Sequence, residues 1–175
     1  MSQSDYPSNE EIEKAAEVVK RLSRGYLPYP LFMAITSKIV TPTLEMVIFQ
    51  QVKNELHVLL TKRPDDDKHW PGQWHIPGTV LRSTDAEGTF VTCFERILHD
   101  ELYDLVAITE PKYVSTEFWE IERGRELDQL FYAELKDCGE LLESMKFFPV
   151  NALPSNLMGH HDTVIAKAIE KRSES

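Results

Sequence analysis

Two apolar runs separated by a short polar turn constrain the fold of this chain most strongly. The runs are LEMVIFQQV and ELHVLLTKR, and Lys53 and Asn54 lie between them. Runs rich in β-branched residues on either side of a two-residue turn are typical of a β-hairpin. We therefore expect an antiparallel pair of strands here, with the rest of a sheet built around it.

Apolar residues at helical spacing predict helices on both sides of the hairpin. Before it, Ser8 and Glu11 have the spacing of a capping box and precede a helical stripe that ends at Gly25. After it, the segment from about Asp85 to Tyr103 carries apolar residues on one helical face. The segment HDTVIAKAIEKR predicts a closing helix whose basic residues suit the negative end of the helix dipole.

The remaining apolar runs predict further strands. They are LVAIT, KYVSTEFWEI and LDQLFYAEL, with FFPV as a short strand or a bend, whereas LFMAITSKIV fits a helix or a strand equally well. Because most strands follow one another, the order favours an α+β fold over a regular βαβ winding. The expected architecture is an α/β/α sandwich, with a mixed sheet between helices and an extra N-terminal helix.

The chain is expected to divide into an extension and one domain. Residues 1–42 contain the N-terminal helix and the irregular segment YLPYP, and residues 43–175 contain the sheet. A domain of this size can close a hydrophobic core. The apolar surface of residues 1–42 makes the extension a candidate contact for a homodimer.

The acidic composition disfavours some classes of partner. The chain has 19 basic and 29 acidic residues and a net charge of −10. Nonspecific binding to nucleic acid or to an anionic membrane needs clustered Lys and Arg, so we expect neither partner. A small anionic ligand stays open, because a single pocket can be basic within an acidic protein.

The sequence shows no membrane span or export signal. No apolar run approaches the ~20 residues of a membrane helix, and the start MSQSDYPSNEE lacks the character of a signal peptide. Cys93 and Cys138 fit no metal or redox spacing, and Cys93, among apolar helical neighbours, is expected to be inert. We therefore expect a cytoplasmic protein.

Two adjacent acids, Asp100 and Glu101, end the predicted central helix. By themselves they fit a solvated helix face, with Asp100 paired to Arg96 one turn earlier. Two upstream features favour a chemical role instead. One is Arg63, at the end of the second hairpin strand, and the other is the turn that contains Gly78.

The segments LLTKRP, WPGQWHIPGT and ERILHDEL, in this order, resemble the Nudix hydrolase superfamily. That family places a strand ending in Arg before a Trp-Pro-Gly loop and a loop–helix box, G-x5-E-x7-R-E-U-x-E-E-x-G-U, in which U is aliphatic. The resemblance spans residues 45–165 and is most specific over residues 58–105. It identifies residues 43–175 as a Nudix-like domain.

The box is matched in part. Pro77 and Gly78 match the Pro-Gly of the family, and Arg96 matches the box arginine. Glu101 matches the second of the paired acids, and Asp100 stands at the first of that pair as a shorter carboxylate. The resemblance is therefore carried by the loop and by the end of the helix.

Other positions depart from the family pattern. Thr79 replaces the second glycine, Ile97 replaces the glutamate after the arginine, and Tyr103 replaces the closing glycine. The loop before the arginine is also longer than in the family. Either Asp85 or Glu87 could stand in for the glutamate of that loop.

The resemblance implies hydrolysis of a nucleoside diphosphate linked to another moiety, such as a sugar, with Mg²⁺ or Mn²⁺. Breaking a pyrophosphate needs cations that neutralise its oxygens and activate water. Acids at i and i+4 of a helix can share an ion, but Ile97 occupies the position four residues before Glu101. We therefore expect a single ion. The resemblance assigns the metal site to Glu101, Asp100 and Gly78, and catalytic roles to the two acids and Arg96.

The resemblance also implies substrate contacts by Arg63, Trp70, Trp74 and Gly78. Arg63 would contact a phosphate, or would be an ordinary charge at a strand edge. The tryptophans would stack on a base or a sugar, or would pack in the core. His75 would line the site or serve as a structural histidine.

One branch of the superfamily, the GDP-mannose mannosyl hydrolases, looks similar at the box, since it also has an aliphatic residue after Glu-Arg. That likeness implies one Mg²⁺ and attack of water on the sugar carbon rather than on phosphorus. The branch uses a histidine of a late loop as base, and His160 and His161 are the nearest candidates here, although residues 160–162 also suit a helix cap. Glu134 or Glu143 could supply a further carboxylate.

Two functions stay open at this point. The first is a metal-dependent hydrolase, and the second is a Nudix-fold protein without catalysis that binds a nucleotide-like metabolite or a protein partner. Ile97, Tyr103 and the longer loop favour the second. A sensor that reads DNA is disfavoured by the net charge.

Overall fold

A mixed sheet built on one long strand organises residues 6–174, the part of the chain that the computed structural model describes. Within this range the sheet has eight strands: β1 (Val40–Val52), β2 (Glu55–Lys62), β3 (Trp74–His75), β4 (Gly78–Val80), β5 (Val106–Ile108), β6 (Lys112–Ile121), β7 (Gly124–Cys138) and β8 (Met145–Pro149). The helices are α1 (Asn9–Lys20), α2 (Tyr29–Thr36), α3 (Val91–Arg96), which continues into a π-helical turn (Ile97–Glu101), and α4 (His161–Ser173).

Strand β1 lies at the centre of the sheet. It pairs antiparallel with β2, where Val52 faces Glu55 across the turn, so the predicted hairpin is confirmed. On its other side it pairs in parallel with β7 from Val40 to Phe49. The remaining pairings, β4 with β1, β3 and β8 with β2, and β5 and β6 with β7, are antiparallel. The mixed sheet expected from the order of elements is confirmed.

Alternate residues of β1 face opposite layers of helices, as the period of a strand requires. Met46 and Ile48 lie in one buried cluster with Ile97 of the π-helical turn. Val47 and Phe49 lie on the other face, in a second cluster that includes buried residues of α4. The sheet is therefore enclosed between helices, and the expected α/β/α sandwich is confirmed.

Helix α3 starts later than the helical pattern predicts. The pattern predicts a helix from about Asp85, whereas α3 begins at Val91. Gly88 has φ +72, in the left-handed region that interrupts a right-handed helix. The Asp85 carboxylate accepts a hydrogen bond of 2.6 Å from the backbone N–H of Arg82. Residues 85–90 therefore form a loop that is anchored at its start.

The N-terminal extension, which the structure describes from residue 6, contains α1 and α2. The predicted capping box of Ser8 and Glu11 is confirmed. The apolar stripe that follows forms a helix, but no residue of α1 is buried, and Ile12 and Val19 are exposed. The ambiguous segment LFMAITSKIV divides between α2 and the start of β1. None of the helices in the described range is long and apolar enough to cross a membrane.

Close contacts attach the extension to loops of the sheet domain. The Arg24 guanidinium donates to a carbonyl of the loop after β4 at 2.9 Å, and the Tyr29 hydroxyl lies 2.7 Å from His69 Nε2. Gly124 has φ +137, and a Cβ there would lie 2.5 Å from the carbonyl oxygen of Thr36 at the end of α2. Glycine is therefore required where α2 meets the turn between β6 and β7. The extension therefore packs against three loops of the sheet domain.

Tyr103, which replaces the closing glycine of the family pattern, has φ +51 just after the π-helical turn. This conformation costs a residue with a Cβ roughly 1–2 kcal/mol. We predict that Tyr103→Gly is more stable than Tyr103→Ala by about 1 kcal/mol, because both variants lose the same exposed side chain and only glycine relieves the backbone. Urea unfolding of the two variants measures this difference, and an alanine variant of equal or greater stability would contradict the prediction.

Candidate ligand-binding site

A cavity of about 680 Å³ lies between the extension, the sheet and the start of α4. Its volume falls within the range of small-molecule sites, about 300–1,000 Å³. The extension supplies mainly apolar side chains: Leu22, Tyr26, Leu27, Phe32 and Ile35. The charged and imidazole side chains that line it include Glu45, Arg63, His75, Glu101, Arg123, Glu126, His160 and His161. The cavity therefore offers both apolar and charged contacts to one ligand.

The structure brings some of the residues expected from the sequence together and separates the others. Arg63, Gly78 and Glu101 line the cavity. Four others do not line it: Asp100, Arg96, Trp70 and Trp74. Only one of the two adjacent acids at the end of the helix therefore reaches this space.

Glu101 is the acid of the box that faces the cavity. Burial raises the pKa of its carboxyl, the charge of Arg63 opposes this, and the charge of Asp100 adds to it. Among the described residues, none donates a hydrogen bond to this carboxylate. Asp100 is exposed, and Ile97 is fully buried in the core. Glu101 is therefore a desolvated acid that a bound cation would stabilise.

Arg96 holds the loop after β4 against α3. Its guanidinium donates to both oxygens of Asp85, at 2.5 and 3.1 Å, and to Thr79 Oγ1 and a carbonyl of β4 at 3.0 Å each. Hydrogen bonds from Arg96 lower the pKa of Asp85. The Cys93 thiol also donates to Asp85, and burial raises the pKa of this thiol to about 11. Asp85 is thus the anchor of the lengthened loop, and the thiol beside it stays protonated at neutral pH.

Trp70 contacts two arginines of the cavity. The guanidinium carbons of Arg63 and Arg123 lie 5.2 and 5.1 Å from the centroid of the Trp70 ring, within the range of cation–π attraction. Asp67 supports this arrangement, since it accepts hydrogen bonds from Arg63 at 3.0 Å and from the Trp70 backbone at 2.9 Å. Trp70 therefore positions two cations without lining the cavity itself. Trp74 packs edge-on against a phenylalanine of β8, with centroids 4.9 Å apart.

Polar residues alternate along the first half of β1. Thr41, Thr43 and Glu45 line the cavity, and the parallel register places Glu126 beside Thr41 and Asp128 beside Thr43. The Thr43 hydroxyl donates to Asp128 at 3.3 Å. Burial, together with the charge of Glu45, raises the pKa of Asp128 to about 8. One face of the sheet is therefore polar where it borders the cavity.

Two consecutive histidines at the start of α4 meet Glu45. His161 Nε2 lies 3.1 Å and His160 Nε2 lies 3.8 Å from Glu45 Oε1. Burial opposes ionisation of Glu45, but the nearby imidazoles outweigh it and lower the pKa of its carboxyl. His160 stacks on Trp119 with ring centroids 4.7 Å apart. Its side chain makes no capping hydrogen bond, so the helix cap suggested by the sequence is not formed by His160.

His75 is satisfied within the structure. Its Nδ1 donates to the carbonyl of Ile76 at 2.9 Å, and the Thr61 hydroxyl lies 2.9 Å from its Nε2. Burial and the charge of Arg63 lower the pKa of His75 to about 3. The ring therefore lines the cavity as a neutral structural histidine.

Three further acids considered from the sequence lie outside the cavity. Glu134 pairs with Arg172 at 2.6 Å, whereas Glu87 and Glu143 are exposed. None of the three is among the residues that line the cavity. The additional carboxylates of the cavity come from β1 and β7 instead.

Glu45, Arg123 and Glu126 are cavity residues that were not predicted from the sequence. Glu45 stands in an otherwise apolar run, and a buried acid in such a strand is a signal that could have identified it. Arg123 lies in a charged turn between two strands, and its position depends on how α2 packs against that turn. No sequence pattern marks it.

Comparison with solved structures identifies the fold. The Nudix domain of Shewanella oneidensis NrtR, crystallised with ADP ribose, matches with a TM-score of 0.59 at 20% identity, over 90% of this chain and 97% of that one. NrtR from the same organism, crystallised with a 27mer DNA, gives a TM-score of 0.63 at 21% identity, over 75% of this chain. This chain spans 62% of the length of that NrtR chain. The Caenorhabditis elegans Ap4A hydrolase gives 0.58 at 16% identity, over 77% of this chain and 99% of that one.

These likenesses establish that the chain has the Nudix fold. No protein-family model matches the sequence, and no curated protein matches it by sequence. The residues of the cavity are therefore the features that bear on function.

The pKa of Asp128 predicts a fall in stability with rising pH. An aspartate of an unfolded chain loses its proton near pH 4, whereas burial and the charge of Glu45 raise the pKa of Asp128 to about 8 in the folded protein. Between these values the folded state holds a proton that the unfolded state has released, so this carboxyl makes the protein less stable as the pH rises.

Asparagine resembles the protonated acid in shape and removes this dependence. We expect Asp128→Asn to raise the Tm relative to the wild type by more at about pH 8.5 than at about pH 5.5. Thermal melts at the two pH values measure the effect, with Asp137→Asn, an exposed position of the same strand, as the control. A shift that is the same at both pH values would contradict the raised pKa.

Proposed function

We propose that this chain hydrolyses, with a divalent cation, a nucleoside diphosphate linked to another moiety that binds in the cavity. The observation that carries the proposal is the position of Glu101 in the same cavity as Arg63 and Arg123. An acid suits a cation, and guanidinium groups suit the oxygens of a diphosphate. The net charge of the chain is −10. Two arginine side chains in one cavity are therefore not a consequence of a generally basic composition.

The Glu101 carboxylate fits the needs of one Mg²⁺ or Mn²⁺ ion. Mg²⁺ commonly takes one or two carboxylates and completes its shell with phosphate oxygens and waters. Glu101 is half-buried and accepts no hydrogen bond from the described residues, and Gly78 lines the cavity as the further proposed metal contact. When bound, such an ion neutralises phosphate oxygens and activates water. Ile97 lies in the core and Asp100 is exposed, so the helix supports a single ion better than several.

Arg63 and Arg123 are the proposed phosphate contacts. Arg63 pairs with Asp67 at 3.0 Å and Arg123 pairs with Glu126 at 2.6 Å, and these partners fix the two side chains. The Nε atom of each guanidinium has no hydrogen-bond partner. Arginine binds phosphate through several donors at once, so each side chain can hold its acid and still contact the ligand.

The apolar side chains of the extension suit the less polar part of such a ligand, such as a base. Aromatic and aliphatic groups line this part of the cavity, among them Tyr26, Phe32 and Ile35. The Nudix domain of S. oneidensis NrtR was crystallised with ADP ribose. ADP ribose is therefore one candidate ligand to test here. In the glycosyl route of the GDP-mannose mannosyl hydrolases, water would attack the sugar carbon instead of phosphorus.

A second candidate function is binding of the same class of ligand without turnover. Ile97 is buried, and Asp100 does not line the cavity, so the helix brings one acid to the site. A protein with one acid can retain the diphosphate contacts after losing the means to cleave. The two functions differ in one measurable property, which is product release.

Glu101→Gln tests the proposed reaction. We expect the wild type to hydrolyse a member of a panel of nucleotide sugars, ADP ribose, dinucleoside polyphosphates and nucleoside triphosphates in the presence of Mg²⁺ or Mn²⁺. Glu101→Gln should lower kcat by about 100-fold or more, because it removes the proposed metal ligand. Product release followed by chromatography measures this, and free sugar rather than sugar phosphate identifies attack on carbon.

Glu95→Gln, which changes an exposed acid of α3, is the matched control and should retain activity. Equal activity of the wild type and Glu101→Gln would contradict the assignment of the site. Tight binding of one panel member without any product would establish the second candidate function instead.

Arg123→Ala tests the phosphate contacts. Loss of a charge-assisted hydrogen bond costs about 1.5–3 kcal/mol, so we expect the dissociation constant of ADP to rise about 10-fold to 100-fold. Arg125→Ala, two residues further on, changes an exposed arginine outside the cavity and should leave binding unchanged. Calorimetric titration with ADP measures both variants, and equal affinities for them would contradict the role of Arg123.

A further inference from the structure

Three polar atoms on one wall of the cavity have no hydrogen-bond partner. They are Glu45 Oε2, His160 Nε2 and His161 Nε2, and all three are buried. His161 as a whole is only 2% exposed. Buried polar atoms without partners cost free energy. A cavity wall that carries three of them is suited to a ligand that satisfies them.

The tautomer of His161 is set by the backbone. The N–H of Ile76 donates to His161 Nδ1 at 2.9 Å, so Nδ1 carries a lone pair and no proton. A neutral imidazole has one proton, and in this ring it therefore lies on Nε2. That N–H points into the space beside Glu45, with Nε2 3.1 Å from Oε1 but not aligned for a hydrogen bond.

This tautomer argues against a metal ion at the cluster. Glu45, His160 and His161 each offer an atom within 4.8 Å of the others, a spacing that a metal could bridge. A metal needs the lone pair of a ring nitrogen, and the other nitrogen of a ligating histidine ordinarily donates its N–H. Here the backbone donates to that other nitrogen, so ligation through Nε2 would require a ring without any proton.

We propose that Glu45, His160 and His161 form a hydrogen-bonding subsite for a neutral donor–acceptor group of the ligand, rather than a metal site. The inference rests on the proposed function, since it names what this wall recognises in the nucleoside diphosphate derivative. Glu45 Oε2 accepts a hydrogen bond from the ligand, and the His161 N–H donates a hydrogen bond to the ligand. Adjacent sugar hydroxyls and the edge of a base both have this chemistry.

Charge favours different parts of the ligand at Glu45 and at the two arginines. The carboxylate of Glu45 repels phosphate, whereas Arg63 and Arg123 attract it. A neutral group that both donates and accepts is therefore the part of the ligand that suits the Glu45 wall. His160, stacked on Trp119, borders the same group.

Glu45→Gln tests the subsite with little change of shape. The amide replaces an acceptor by a donor, so we expect it to weaken ligand binding about tenfold or more. The probes are ADP, GDP and ADP ribose, titrated calorimetrically without a metal. ADP and GDP share the ribose and the diphosphate and differ only in the base. Loss with one of them and not the other therefore identifies a base edge, and equal loss with both identifies the hydroxyls of the nucleoside ribose. Loss with ADP ribose alone identifies the hydroxyls of its terminal ribose. Glu134→Gln, whose acid pairs with Arg172 outside the cavity, is the control and should bind as the wild type.

Unchanged affinity of Glu45→Gln for every probe that the wild type binds would overturn the subsite and leave the proposed function standing. A wild type that binds none of the probes would overturn both. Thermal melts of both glutamine variants establish that they are folded.

Titration with Co²⁺ alone supplies an arm that needs no nucleotide. We expect the wild type and Glu45→Gln to give the same Co²⁺ absorption spectrum, because the cluster does not bind the ion. Tight Co²⁺ binding by the wild type, lost in Glu45→Gln, would assign the cluster to a metal and overturn the proposal. Absence of such Co²⁺ binding in the wild type supports the assignment of the His161 proton to Nε2.

Discussion

The parallel pairing of β1 with β7 is the contact on which the rest of the structure depends. It runs from Val40 to Phe49 and fixes which residues of β1 face each layer. In this register Met46 points into the core beside the π-helical turn, and Glu45 points to the cavity. A shift of one residue would exchange the two faces, burying Glu45 in the core and turning Met46 towards the ligand. The polar wall and the hydrophobic core are therefore specified by the same pairing.

The cavity needs a second contact, between the extension and the sheet domain. Gly124 allows α2 to approach the turn that carries Arg123, and the guanidinium groups of Arg123 and Arg63 both lie within cation–π range of the Trp70 ring. The extension adds apolar side chains that the sheet does not supply. Arginines, the unpaired acid Glu101 and apolar groups thus line one cavity because the N-terminal segment packs against loops of the sheet domain.

The elements with strong local patterns could be predicted from the sequence. The hairpin around Lys53, the capping box at Ser8 and the closing helix follow from residue types a few positions apart, and the structure contains all three. The start of α3 could not be predicted from periodicity, because Gly88 and the anchor at Asp85 override the apolar pattern. The spacing of apolar residues does not reveal where such a local restriction delays the start of a helix.

The residues of the candidate site that belong to a sequence motif could be predicted. Those that reach the cavity only through tertiary packing could not. Glu101 and Arg63 belong to an ordered series of segments, and both line the cavity. Glu45 comes from β1 and Arg123 from the turn between β6 and β7, and only the sheet register and the docking of α2 bring them there. The sequence alone also suggested Asp100, which the turn of the helix leaves exposed.

A crystal structure with Mn²⁺ and a nucleoside diphosphate whose bridging oxygen is replaced by a methylene group tests the central claim most directly. We expect a single anomalous peak at about 2.1 Å from a Glu101 carboxylate oxygen, similar to the distance of Mg²⁺–oxygen bonds, with the phosphates between Arg63 and Arg123. A peak at Glu45, His160 and His161, or phosphates bound away from both arginines, would contradict it.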